Sequence, residues 1–124
     1  MAGNSWQQPV AGEPSLGTGH FHPGIILNVD PASTALQTLD ISAYVPVGTK
    51  KVSGWGTFVS ATAGRTVQLE DAADTIVYAK SYTVAGATKD FSWECAVDAD
   101  RKIYWKVSNT DVSSLLLYLV DYYI

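Results

Sequence analysis

Apolar and polar residues alternate along most of the chain from residue 25 onward. Over 89–97, Phe91, Trp93, Cys95 and Val97 fall on one side, and over 101–108, Ile103, Trp105 and Val107 oppose Lys102, Tyr104 and Lys106. A period of two marks a half-buried β-strand. The same pattern predicts strands over 50–61, 65–71 and 75–84. The first sets Val52 and Phe58 against Trp55, Thr57 and Val59, the second points Val67 and Leu69 inward, and the third puts Ile76, Tyr78, Tyr82 and Val84 on one side. A short apolar run over 25–29, a weak strand over 36–39 and a last strand over 112–124 bring the number to about eight. Turn residues separate most of them, and residues 40–48 read as a loop with buried aliphatic pegs. No stretch carries a helical apolar stripe over ten residues. The expected fold is all-β: an antiparallel β-sandwich over 25–124, jelly-roll-like by its strand number. Its expected core is Val52, Phe58, Val67, Leu69, Phe91, Trp93, Ile103, Trp105 and Leu117.

The last strand departs from simple alternation. Leu115, Leu117 and Leu119 point one way, and Leu116, Tyr118, Val120, Tyr122 and Ile124 point the other. A sheet with one wet face should be polar on that face. Both faces are apolar here, so the strand is expected to be covered twice, once by its own core and once by a symmetry mate or by the N-terminal residues. Gly54 and Gly56 flank Trp55, and glycine inside a strand marks a bulge or a close backbone approach, here read as the approach of another chain. Trp55, Tyr118, Tyr122 and Ile124 are therefore the candidate oligomer interface, with a trimer expected from closed cyclic symmetry.

Residues 1–24 hold three of the five prolines and five of the ten glycines, a density that resists helix and central strand alike. They read as an extended N-terminal arm. Trp6, Leu16 and Phe21 are apolar anchors that a purely solvated tail does not need, so they are the expected contacts with a partner. The first ten residues lack a basic region followed by an apolar one, so no cleaved signal peptide is expected and synthesis in a cytoplasm follows.

Composition narrows the partner classes. The chain has 124 residues, which fits one domain. Only 16% of it is charged, against a usual fraction of about 25%; such a surface is covered by small polar groups or hidden in an assembly. Eight Lys and Arg against twelve Asp and Glu give a net charge of −4. That balance argues against nucleic acid and against anionic membrane, both of which select a basic face.

Candidate chemistry is sparse. Cys95 is the one cysteine and lies on the apolar side of its strand, where a buried, inert thiol is expected. His20 and His22 form an H-x-H pair without a third ligand nearby, so no metal and no cofactor is expected. Asp71 with Asp74, Asp98 with Asp100, and Asp111 sit where Asp favours side-chain-to-backbone bonds in turns; a Ca²⁺ loop at Asp98 and Asp100 is the alternative. No base–nucleophile pair is visible, so an enzyme is not expected. Trp93 and Trp105 are in phase with core residues, which leaves Tyr104, Tyr118, Tyr122 and Tyr123 as surface or interface aromatics open to a glycan or a protein.

Three phrases carry a resemblance. They are Leu39-Asp-Ile-Ser-Ala-Tyr-Val-Pro-Val-Gly-Thr-Lys-Lys-Val, Ala63-Gly-Arg-Thr-Val-Gln-Leu, and Arg101-Lys-Ile-Tyr-Trp-Lys-Val-Ser-Asn-Thr-Asp-Val with the ending Asp121-Tyr-Tyr-Ile. Together, over residues 36–124, they resemble the small jelly-roll domains of bacteriophage tail, head-fibre and capsid-decoration proteins. The resemblance implies a β-sandwich, usually trimeric, attached to a virion through an N-terminal segment. It supplies no catalytic motif. The expected function is a structural virion protein, a capsid decoration or accessory protein bound to the major capsid protein or another virion protein. The alternative is a receptor- or carbohydrate-binding module of a tail or head fibre.

Overall fold

The computed structural model describes residues 24–124. The expected arm, its anchors Trp6, Leu16 and Phe21, and the His20–His22 pair lie outside the described residues, apart from Gly24, which opens the first strand.

Eight strands follow in chain order: β1 (Gly24–Val29), β2 (Gln37–Asp40), β3 (Lys51–Val59), β4 (Thr66–Glu70), β5 (Val77–Tyr82), β6 (Lys89–Ala96), β7 (Lys102–Val107) and β8 (Ser113–Tyr123). They form two four-stranded sheets, ordered β1-β8-β3-β6 and β2-β7-β4-β5. Every pairing of these strands is antiparallel. The fold is an antiparallel β-sandwich, with the inward positions of both sheets meeting in one core.

The alternating residues set that core. Val52, Phe58, Val67, Leu69, Trp93, Ile103, Trp105 and Leu117 are buried, and Phe91 packs against them with its ring edge-on to Phe58 at 5.4 Å. The 40–48 loop adds Ile41 and Val45 as buried pegs. Arg101, in the β6–β7 turn, ties that loop down by donating from Nη1 to the carbonyls of Ser42 and Val45 at 3.2 and 3.1 Å.

Asp71 and Asp98 close turns with their side chains, as their positions predict, whereas Asp74 and Asp111 take the side chains of Lys106 and Arg65. Asp71 Oδ1 accepts from the N–H groups of Thr75 and Ile76 at 2.8 and 3.0 Å, and those bonds hold its carboxyl below the ordinary aspartate value. Asp98 Oδ1 accepts from the N–H groups of Asp100 and Lys102, both at 2.9 Å.

Three placements differ from the alternation pattern or from the inference drawn from it. Tyr122 is 1% exposed and joins the core, so it is not available as an interface residue. The reason is a bulge in β8: Ser53 pairs with Asp121 but Gly54 pairs with Leu119, which leaves Val120 as an extra residue. The extra residue reverses the phase, turning Tyr122 inward and leaving Val120 exposed. Gly54 and Gly56, in turn, make room within the chain and not for another one. A Cβ on Gly54 would lie 1.8 Å from the carbonyl oxygen of Tyr118, and one on Gly56 would meet the carbonyl oxygen of Leu116 and the ring of Phe91 at 2.6 and 2.7 Å. In β5, finally, the apolar row Ile76, Tyr78, Tyr82 and Val84 faces solvent, and the buried or half-buried positions belong to Ala79, Ser81 and Thr83. β5 is a sheet edge lying close to β6 of the other sheet, where only small residues fit inward.

Candidate functional site

The outer face of the β1-β8-β3-β6 sheet carries an aromatic ridge. Register places Ile25 of β1 opposite Tyr118 of β8, and Tyr118 opposite Trp55 of β3. The Trp55 and Tyr118 rings stack with centroids 4.8 Å apart and an interplanar angle of 15°. Ile25, Trp55 and Val120 remain 50%, 44% and 39% exposed, an apolar surface where a sandwich's outer face is ordinarily polar. Trp55 is held from beneath as well: Trp93, buried on the other face of the sheet, donates from Nε1 to its carbonyl at 2.9 Å.

A shallow groove of about 730 Å³ runs beside this ridge, between the outer positions of β3 and β6 and the edge strand β5. Its lining includes Ser53 and Trp55 of β3, Ser92 and Glu94 of β6, Tyr78 and Lys80 of β5, and Val120 of β8. Tyr118 does not line it. Trp55 pairs with Ser92 and Ser53 with Glu94 across the β3–β6 ladder. Lys51 forms an ion pair with Glu94 at 3.3 Å and lies 4.5 Å from the centre of the Tyr123 ring.

Of the expected interface residues, the structure brings Trp55 and Tyr118 together, leaves Ile124 exposed and withdraws Tyr122 into the core. Tyr104, the other candidate surface aromatic, sits in the second sheet. Its hydroxyl donates to Asp98 Oδ2 at 2.6 Å, which pushes the phenol up to about 12 and commits the group to the β6–β7 turn. Cys95 is 2% exposed, and burial, with a smaller effect of Glu94, pushes its thiol up to about 12, where a nucleophilic thiolate does not form at neutral pH.

One cluster is not signalled by the pattern. Glu70, the last residue of β4, is 1% exposed. Gln68 donates to its Oε2, while Oε1 finds no donor. Burial and a hydrogen bond given to Asp74 raise the Glu70 carboxyl above its ordinary value. Asp74 is lowered by that bond and by Lys106, whose Nζ lies 3.2 and 3.0 Å from its two oxygens. The two carboxyls are thus shifted in opposite directions, Glu70 up and Asp74 down. Among the described residues no group of three or more His, Cys, Asp and Glu gathers to hold a metal ion. No protein-family model matches the chain, and no curated protein matches it.

Proposed function

We propose that the chain is a structural protein of a bacteriophage virion, a capsid decoration or accessory protein that works by burying surface against its neighbours. The observation that carries this reading is the apolar row Ile25–Tyr118–Trp55 across three strands of one sheet, half-buried at Tyr118 and exposed at Ile25 and Trp55. An apolar strip on the outer face of a small sandwich fits a contact with a partner or a second copy. The low charged fraction points the same way.

The strand orders support reading the sandwich as a jelly roll. Two interlocked Greek keys interleave the strands as β1-β8-β3-β6 over β2-β7-β4-β5. The phrases that resemble virion domains fall on the structural parts of this arrangement. The first, from Leu39 to Val52, runs from β2 through the pegged loop into β3, and the third supplies β7. Residues 1–24, with Trp6, Leu16 and Phe21, are assigned the contact with the capsid, and Ile25, Tyr118 and Ile124, with Trp55 at the border, the contact between copies of a trimer.

Two measurements test this. Quantitative mass spectrometry of particles purified from the producing host should find the protein at fixed stoichiometry to the major capsid protein. Light scattering on the soluble protein should give a trimer mass that falls to a monomer in Ile25→Ser/Tyr118→Ser. Absence from purified particles would overturn the virion reading, and a monomer mass for the parent protein the trimer.

A further inference from the structure

We propose that the groove between Trp55 and β5 is a binding site for a chain of hexopyranose sugars, with the free face of the Trp55 indole as its stacking platform. This site does not rest on the virion assignment, and it shares only Trp55, at the border, with the contact between copies.

The geometry of the indole carries the proposal. Tyr118 covers one face in a near-parallel stack. Trp55 has Tyr118 of β8 on one side and Ser92 of β6 on the other, and the groove is lined by Trp55 and Ser92 but not by Tyr118, which points to the Ser92 side of the indole as the one that the groove reaches. The platform is also preorganised. The ring is backed by Tyr118, and its backbone is held by Trp93 across the sheet. A ring that is already fixed loses little entropy when a ligand settles on it.

The rest of the lining selects the ligand class. A pyranose ring presents an apolar C–H face together with hydroxyls that both donate and accept. Trp55 and Tyr78 both offer aromatic surface to the groove. The hydroxyls of Ser53 and Ser92 donate and accept, the Glu94 carboxylate accepts, and the Lys80 ammonium donates. One acid and one base leave the groove without the positive field that a polyanion such as nucleic acid selects. The volume of about 730 Å³ falls within the ~300–1,000 Å³ of ligand clefts. The shallow form of the groove suits several linked rings better than one enclosed molecule.

The test uses the full-length protein on an array of hexose and N-acetylhexosamine oligosaccharides, followed by tryptophan-fluorescence titration with the best-retained one. Binding is expected, and Trp55→Ala should weaken it about tenfold or more, the scale of a lost stacking contact. Trp55→Phe should lose less. Ser92→Arg, at an exposed position in the groove, should block binding while leaving the fold intact, and Tyr104→Phe in the other sheet should leave affinity unchanged. Retention of no oligosaccharide on the array overturns the proposal. So does binding that survives both Trp55→Ala and Ser92→Arg.

Discussion

Trp93 Nε1 donates a hydrogen bond to the carbonyl of Trp55 at 2.9 Å, so the indole buried inside the sandwich fixes the backbone of the indole exposed outside it. The two residues lie on neighbouring strands, where Trp93 pairs with Gly54 and Trp55 with Ser92. Because Gly54 has no side chain, the Trp93 ring lies across β3 and its nitrogen comes within reach of the next carbonyl.

Trp93→Phe keeps an aromatic ring at this place and removes the donor. The lost hydrogen bond and the smaller ring together should cost about 1–3 kcal/mol. Urea denaturation followed by far-UV circular dichroism measures this. A variant as stable as the parent would mean that the bond is not supporting the ridge.

Gly54→Ala should be far worse than its one added carbon suggests. The new Cβ would fall 1.8 Å from the Tyr118 carbonyl oxygen and 2.9 Å from the Trp93 ring, and the former belongs to a paired strand that cannot swing aside. The expected loss is about 3 kcal/mol or more. Gly64→Ala is the comparison. Its Cβ meets nothing within 4 Å, and only the left-handed backbone at φ +83° opposes it, at about 1–2 kcal/mol. Thermal melts that rank the two in the opposite order would contradict the close-approach account.

Most of the eight described strands, and eight of the nine expected core residues, are legible in residues 25–124, because each sheet face imposes a period of two. Val52, Phe58, Trp93, Ile103 and Leu117 sit where that period puts them. What alternation cannot carry is a change of phase. Val120 looks like any other strand residue, and the bulge that strands it opposite no partner is decided by pairing with β3, not by local preference. Glu70 is hidden for a related reason: its neighbours Asp74 and Lys106 are brought beside it by the β4–β5 turn and β7, not by local sequence. The candidate site was half legible. Trp55 stands out as a tryptophan between two glycines, but its stacking on Tyr118 and the groove beside it need the register of three strands and the nearness of β5.

The Glu70–Asp74 pair sets a pH dependence with a definite sign. Glu70 has a raised value in the folded protein, chiefly from burial and then from the bond to Asp74. Its acid form therefore stabilises the fold fully below the ordinary glutamate value, and that contribution is lost as pH rises through the raised one. Asp74 acts in the opposite sense. Its value is lowered by the bonds from Glu70 and Lys106, so its contribution is present above the ordinary aspartate value and is lost as pH falls through the lowered one. Glu70→Gln is the neutral counterpart of the protonated acid, with no charge to lose or gain across this range. Melting temperature should fall for the parent as pH rises above the ordinary glutamate range, and Glu70→Gln should stay level over the same range. Equal slopes in the two proteins would show that Glu70 is ionised in the fold at all these values.

Tyr118 and Tyr122 make the sharpest test of the β8 bulge, because plain alternation makes them equivalent and the structure makes them opposites. Tyr122 is 1% exposed and lies within the core, so Tyr122→Ala should open a cavity and cost about 3–5 kcal/mol, as for other large buried aromatic side chains. Tyr118 is half-buried on the outer face, where its main partner is the exposed Trp55 ring. Tyr118→Ala should lose that stack and some covered area, about 1–2 kcal/mol. The two effects should also differ in kind. Tyr118→Ala should change Trp55 fluorescence and lower the melting midpoint modestly, and Tyr122→Ala should lower the midpoint steeply. If the two alanine variants melt together, the phase reversal at Val120 does not exist in solution, and Tyr122 returns to the outer face beside Tyr118.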